Sequence, residues 1–387
     1  MLAIILTGSL AAFHFVEKKI EAKHSVVVSK PLPLRVDSTG PKRLQKLYEQ
    51  LDTFFTNRSI QGGFSGSVLI SVNGKPVYEK CFGYCDFRNK DLMHDTAAFQ
   101  LASVSKNFTA TAILWCVEHK LLSLDDTLQK FFPKLPYKNI RVQDLLDHRS
   151  GLPNYLYFCR PGVVDQSKYL TNQNVIDVMI KTRPPMDAKP NKKFEYCNTN
   201  YVLLATIVEI ASGKKFKDFM HDTFFEPLGM AHTFIYDFMD STDRKIAISY
   251  NSKWQIQHDD CFDGSVGDKG VYSTVSDMFK WDQAFYKGKL LSQDMIKEAY
   301  APRSFEHKGD RNYGYGWRLL KKPDGNYLVY HNGWWHGNNT VFYRNIQDTT
   351  TVIILSNHFS NAVYHVQTVW DILYGYKNGS IATPGEE

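Results

Sequence analysis

The chain has 387 residues, 43% of them hydrophobic and 14% aromatic. That composition excludes a disordered protein, and at roughly 150 residues per domain it allows two or three domains or one composite unit. Lysine and arginine exceed aspartate and glutamate by 46 − 40 = 6, but the basic residues are scattered in pairs such as Lys18-Lys19 and Lys192-Lys193, so no nucleic-acid partner is expected.

Residues 2–16, "LAIILTGSLAAFHFV", are too short for a membrane span of about 20 residues but suit the apolar core of a secretory signal, with small residues near Ala11 and Ala12. Export is therefore expected, either periplasmic or as a membrane-anchored form facing outward. The charged, Pro-containing stretch up to Pro41 reads as a tether, so residues 1–40 are set apart from the fold and 41–380 are read as the folded domain.

In chain order, Leu44, Leu47, Leu51 and Phe55 recur at helical spacing. Two strand-like runs joined by Asn73-Gly74 then predict a hairpin. Cys81 and Cys85, expected in one strand, would face the same side roughly 13 Å apart and could not bridge. The six cysteines lack C-x-x-C spacing and read as structural thiols. Residues 103–120 form a predicted helix with Val104, Phe108, Ala112 and Trp115 on one face, and helices and loops broken by Pro and Gly continue to about 300. "NYVLLATIVEIASGKKF" predicts a helix ending near Gly213. After "YGYGW" (313–317) come three strands, "NYLVYH", "NNTVFYR" and "TTTVIILSN", and a last helix carrying Val363, Val366, Val369 and Leu373. The expected class is α+β: an antiparallel sheet from both chain ends, flanked by the terminal helices, with an inserted, mainly helical lobe. The sheet lobe is placed at about 41–102 and 305–380 and the helical lobe at about 103–304, with a cleft between them as the natural site.

Chemistry is concentrated in "FQLASVSKNFTATAILW". Ser103 and Lys106 are three apart, so on a helix they share a face, about 5–6 Å apart at Cβ, and the amine can reach the hydroxyl. A serine hydroxyl needs a base before it becomes a good nucleophile, and the positive end of a helix favours both a neutral amine and an alkoxide. S-x-x-K alone is weak, since on the order of one arises by chance. A second instance, Ser212 to Lys215, surrounds Gly213 at a helix end and reads as structural.

Two further segments accompany it: Tyr196-Cys197-Asn198 before a helix and His331-Asn332-Gly333 at the end of a strand. With S-x-x-K, in this order, they resemble the three-motif set of the serine β-lactamase and penicillin-binding-protein superfamily, in the class C β-lactamase and D-alanyl-D-alanine carboxypeptidase branch. The resemblance runs from about 45 to 375 and includes "LDDTLQKFFP", "VQDLLDHRSGLPNY", "FFEPLGMAHT" and "GVYSTVSDMFKW". It implies that Ser103 is the acylated nucleophile and that Lys106 and Tyr196 move its proton to the leaving group. It further implies that Asn198, His331, Asn332, Gly333 and Trp334 bind substrate, with the N–H groups of Ser103 and Trp334 as oxyanion hole, and that no metal or cofactor is used. The third motif departs from the Lys-Thr-Gly of β-lactamases. His331 would be mostly neutral at pH 7 and gain charge on acidification, so β-lactamase activity is expected to be weak or secondary.

Other candidates carry blander readings. Cys197 is expected to point away from its neighbours as a small buried group, and Asp147 and His148 to brace a loop. His258, Asp259 and Asp260 are adjacent and are not expected to hold a metal. Trp334 and Trp335 suit a cleft rim, and Lys269 is a candidate to reach the site. The expected protein is a cofactor-free serine hydrolase acting on a small peptide or ester, cell-wall D-amino-acid peptides first. The alternative is a penicillin-recognising sensor that is acylated and does not turn over.

Overall fold

The computed structural model describes residues 41–239, 245–306 and 308–375. The expected signal and tether at 1–40 lie outside the described residues, as do 376–380.

Helix α1 (Pro41–Gly62) leads into strands β1 (Gly66–Val72) and β2 (Lys75–Phe82). Their tight turn puts Asn73 and Gly74 at φ 52° and 67°, the left-handed pair that a two-residue hairpin requires. Helix α2 (Ser105–Glu118) and helix α3 (Asn198–Ser212) are the long central helices of the lobe that follows. Strands β3 (Arg311–Tyr313), β4 (Arg318–Lys321), β5 (Tyr327–Trp335), β6 (Asn338–Asn345) and β7 (Thr350–Ser356) then return, and helix α4 (Gln367–Tyr374) closes the described chain. The sheet order is β2-β1-β7-β6-β5-β4-β3, so the two chain ends meet where β1 pairs antiparallel with β7.

Both faces of this sheet are covered, and strand alternation sorts its residues between two cores. Val68 and Ile70 of β1 with Val352 and Ile354 of β7 pack beneath Leu51 and Phe55 of α1 and Val369, Trp370 and Leu373 of α4. Leu69, Ile353, Leu355, Val329 and Phe342 face the opposite way, into the core shared with the helical lobe. Truncating Leu51, which is fully buried, should cost about 2–5 kcal/mol.

Four expectations need correction. Ser103 lies in a short 3₁₀ turn (Ala102–Val104), and the α-helix proper starts at Ser105. The predicted one-sided stripe is absent because α2 runs through the core: every residue from Ser105 to Leu114 is buried, whereas Trp115 is only half-buried. Cys81 and Cys85 are not in one strand, since Gly83 at φ 70° breaks the chain between β2 and a short strand at Tyr84–Asp86; all six thiols are free. The glycine-aromatic stretch at 311–321 contributes β3 and β4, where no strands were expected. Helix α3 ends at Gly213, φ 71°, as its sequence implies.

Candidate active site

The 3₁₀ turn carrying Ser103 is held under strain and from several sides. Ala102 sits at φ 49°, a left-handed conformation that costs a β-carbon-bearing residue about 1–2 kcal/mol. Leu101 N donates to Val271 O at 2.8 Å, and Thr340 Oγ1 donates to Leu101 O at 2.8 Å. Gly333 of β5 lies so close that a Cβ there would stand 2.3 Å from Leu101 O, which no larger residue can satisfy. The turn leaves Ser103 partly exposed while Lys106, one turn on, is fully buried. Lys106 Nζ donates to Ser103 Oγ at 3.2 Å and to Asp268 O at 2.8 Å.

Tyr196 forms the facing wall. Lys106 Nζ is 4.9 Å from its ring centroid, and the Arg318 guanidinium lies 5.3 Å from the same ring. The segment around Tyr196 is clamped by His148, whose carbonyl accepts from Glu195 N at 2.9 Å and whose Nδ1 accepts from Cys197 N at 3.1 Å. Ser150 Oγ donates to Asn200 Oδ1 at 2.6 Å, which turns the Asn200 amide nitrogen toward His148 Nδ1 at 3.2 Å. Nδ1 is therefore an acceptor and the ring proton resides on Nε2. Burial, with Lys106, His331 and Arg318 nearby, pushes the His148 pKa well below its usual value and keeps the ring neutral. Cys197 is buried with Sγ donating to Leu152 O. Tyr196 Oη and Asn198 Oδ1 are buried polar atoms with no hydrogen-bond partner among the described residues.

Strand β5 supplies the third wall. β4 pairs only with Tyr327–Tyr330, leaving the edge of His331–Trp335 unpaired by it beside the Ser103 turn. His331 is fully buried; Nδ1 and the Asn332 carbonyl are 2.7 Å apart, and Nε2 and Tyr313 Oη 3.2 Å apart. Burial first, then Arg318 and Lys106, push its pKa well down. This corrects the expectation that mild acid would charge His331. Asn332 Oδ1 also lacks a partner. Trp334 is 62% exposed and its ring meets Phe359, so it forms rim, whereas Trp335 turns inward, donating Nε1–H to Asp263 Oδ1 at 2.8 Å.

Lys269 does not point freely into the cleft, which corrects its candidacy: its Nζ donates to Tyr155 Oη and, at 3.1 Å, to Ser265 Oγ. Asp259, Asp263 and His336 come within 4.8 Å of one another, a grouping the sequence hid because His336 is far along the chain. These carboxylates already accept from Gln100, Trp335, His336 and Tyr236, so the cluster reads as a brace. The second S-x-x-K stands apart: Ser212 ends α3, and its Oγ accepts from Lys214 N.

Sequence reading missed Arg318. Its guanidinium borders Tyr196, its Nε has no partner, and no carboxylate pairs with it among the described residues. Its position at the start of β4 directly follows the glycine-aromatic cluster at 313–317, where the sequence reading placed no strand. Gly316, at φ 78°, brings that stretch against α2, where Asn107 donates to Gly316 O.

The β-lactamase family model matches residues 46–375. The chain belongs to the β-lactamase family. Within this family of serine hydrolases it is 31% identical to penicillin-binding protein 4* of Bacillus subtilis (strain 168) over 351 residues, 86% of this chain and 77% of that protein. It is 26% identical to the teichoic acid D-alanine hydrolase of Staphylococcus aureus, over 87% of this chain and 82% of the relative. Among solved structures, the octameric penicillin-binding protein homologue from Pyrococcus abyssi matches with TM-score 0.71 and 26% identity, covering 83% of this chain and 77% of that one. The D-amino acid amidase from Ochrobactrum anthropi SV3 matches with TM-score 0.67 and 25% identity, covering 82% and 91%. The matched span of the β-lactamase family contains all three motifs described above.

Proposed function

We propose that this β-lactamase-family chain hydrolyses an amide or ester of a D-amino acid through an acyl-enzyme on Ser103. The observation that carries the reading is the 3.2 Å contact between Lys106 Nζ and Ser103 Oγ inside a strained turn. Lys106 takes the hydroxyl proton as Ser103 Oγ attacks the carbonyl carbon, and that proton is relayed through Tyr196 Oη, which gains one from Lys106 as it gives one to the leaving amine or alcohol. Water then releases the acyl group by the same route in reverse. The N–H groups of Ser103 and Trp334 stabilise the oxyanion, at about 3 kcal/mol per donor. Asn198 and Asn332 offer unpartnered oxygens to substrate N–H groups, and Gly333 admits the strand to the turn.

The substrate class is supported by relatives named for D-amino-acid chemistry, a D-aminopeptidase, a teichoic acid D-alanine hydrolase and a D-amino acid amidase. Small peptides of D-residues, cell-wall peptides included, lead and small esters follow. A substrate carboxylate is held by Arg318, because His331 is neutral and Lys269 is engaged elsewhere. With no lysine in the third motif, β-lactam turnover is secondary. The protein works outside the cytoplasm, exported or tethered by residues 2–16; no described helix is long and apolar enough to cross a membrane. Purified protein given D-Ala-D-Ala peptides, D-alanyl esters, p-nitrophenyl esters and chromogenic cephalosporins tests the reading. Turnover of the D-amino-acid substrates above the cephalosporins is expected. Acylation that persists for hours on every substrate would contradict it in favour of a sensor.

A further inference from the structure

Behind the Lys106 amine lies a buried polar knot that the acylation scheme leaves unused. The carbonyl holding Lys106 belongs to Asp268, and the side chains of Asp268 and Lys269 both turn inward, 2% and 4% exposed. Lys269 Nζ lies 3.6 Å from Asp268 Oδ2, and Tyr155 Oη donates to the same oxygen at 3.1 Å while accepting from Lys269. Ser265 Oγ bonds both Tyr155 and Lys269, and the Trp335 ring lies 4.8 Å from the Lys269 ammonium. A buried ion pair gains little stability over an apolar replacement, because desolvation offsets the attraction. Its place directly behind the lysine that contacts Ser103 supplies another reason for it.

We propose that Asp268 and Lys269 form a charge-balanced brace that fixes the carbonyl holding Lys106 against Ser103, with the two charges of the pair offsetting one another behind that amine. The inference rests on the reading of Ser103 and Lys106 as the acylation pair. Both are positioning residues, acting through Lys106. An uncompensated charge buried beside a proton-transferring amine favours one of its protonation states over the other, so either partner alone would mistune the base. The other groups facing Lys106 are Ser103 in the adjoining 3₁₀ turn, Tyr196, Tyr201, His148, and His331 on β5, with Arg318 on β4 beside Tyr196. Those facing the pair are Tyr155, Ser265, Trp335 and the carboxylates of Asp260 and Asp263. Tyr155 feels Asp268, and the Asp260 and Asp263 carboxyls feel Lys269, so these neighbours respond to either single change and the double variant serves as their control.

The test is the pH dependence of Ser103 acylation in the full chain, measured with an uncharged p-nitrophenyl ester and mapped by mass spectrometry. Lys269→Met leaves the Asp268 carboxylate uncompensated and should raise the pH of half-maximal acylation by about one unit or more. Acylation then falls about tenfold below the parent midpoint and stays near parental well above it. Asp268→Asn should lower the midpoint by a similar amount, and the double variant should return it close to the parent. Shifts in the same direction, or an equal loss at every pH, overturn the brace. Should a single variant unfold, Lys269→Arg and Asp268→Glu decide: slower acylation at an unmoved midpoint supports the brace, and parental rates in both overturn it. Failure of the unsubstituted chain to label at Ser103 would instead count against the acylation reading.

Discussion

The two sides of the cleft are built differently. On the Ser103 side the polar groups of a buried helix, Asn107 Oδ1 apart, are partnered inside the protein: Ser105 Oγ accepts from Val271 N, Thr109 Oγ1 donates to Gly267 O, and Lys106 bonds both Ser103 and Asp268. On the facing side Tyr196 Oη and Asn198 Oδ1, with Arg318 Nε beside the Tyr196 ring, have no partner among the described residues. A buried polar atom without a partner costs about 1–3 kcal/mol. The difference teaches that the nucleophile is set before substrate arrives, whereas the facing side is completed by groups the substrate brings.

The largest effects should come from joining the two sides. Lys106→Met and Tyr196→Phe should each lower kcat/KM by about 10²–10⁴. If they act on one proton path the double variant should be little worse than the poorer single, whereas the full product of both losses would show two independent groups. Next in size, Arg318→Met should raise KM for a carboxylate-bearing substrate by about tenfold or more and leave its neutral isostere within about threefold. Because His331 stays neutral and Arg318 stays charged, the parent's preference for the carboxylate should be flat from about pH 8 to pH 6. A preference that climbs on acidification would return the role to His331.

The smallest expected effect concerns stability away from the chemistry. Burial, then Asp144, pushes the Asp147 carboxyl up to about 7. A carboxyl whose folded pKa is raised contributes stability that is full below its unfolded pKa near 3.8 and is lost as pH rises through about 7. Asp147→Asn should therefore stabilise the fold more at pH 8 than at pH 5, by on the order of 1–3 kcal/mol, seen as a larger rise in melting temperature at pH 8. His148 and His331, buried neutral, act oppositely: their contribution is present above about pH 6.5 and is lost as pH falls through their lowered folded values. An Asp147→Asn gain that is the same at both pH values would mean that the carboxyl ionises freely in the fold.

Much of this was legible because it is written in local pattern. The Asn73-Gly74 hairpin, the Gly213 helix end and the apolar strands β6 and β7 follow from spacing and turn chemistry. The Ser103–Lys106 contact followed from a three-residue interval that survives the change from α to 3₁₀ winding, since i and i+3 adjoin in both. What stayed hidden depends on partners far along the chain. Lys269 reads as a free cation until Tyr155, 114 residues away, is seen beside it. His331 reads as an ordinary histidine until Tyr313 and the cations Arg318 and Lys106 surround it. Arg318 was missed because β3 and β4 are short strands whose sheet position, not their composition, makes them strands. The α2 stripe failed because a helix packed on all sides carries no amphipathic signature.

The most direct test of the account is quench-flow mass spectrometry of the full chain during turnover of a D-alanyl ester, followed by peptide mapping. An acyl adduct on the peptide that contains Ser103, forming and decaying at rates consistent with kcat and absent in Ser103→Ala, is the predicted result. Turnover that persists in Ser103→Ala, or an adduct mapped to Ser212 or any other residue, would contradict it.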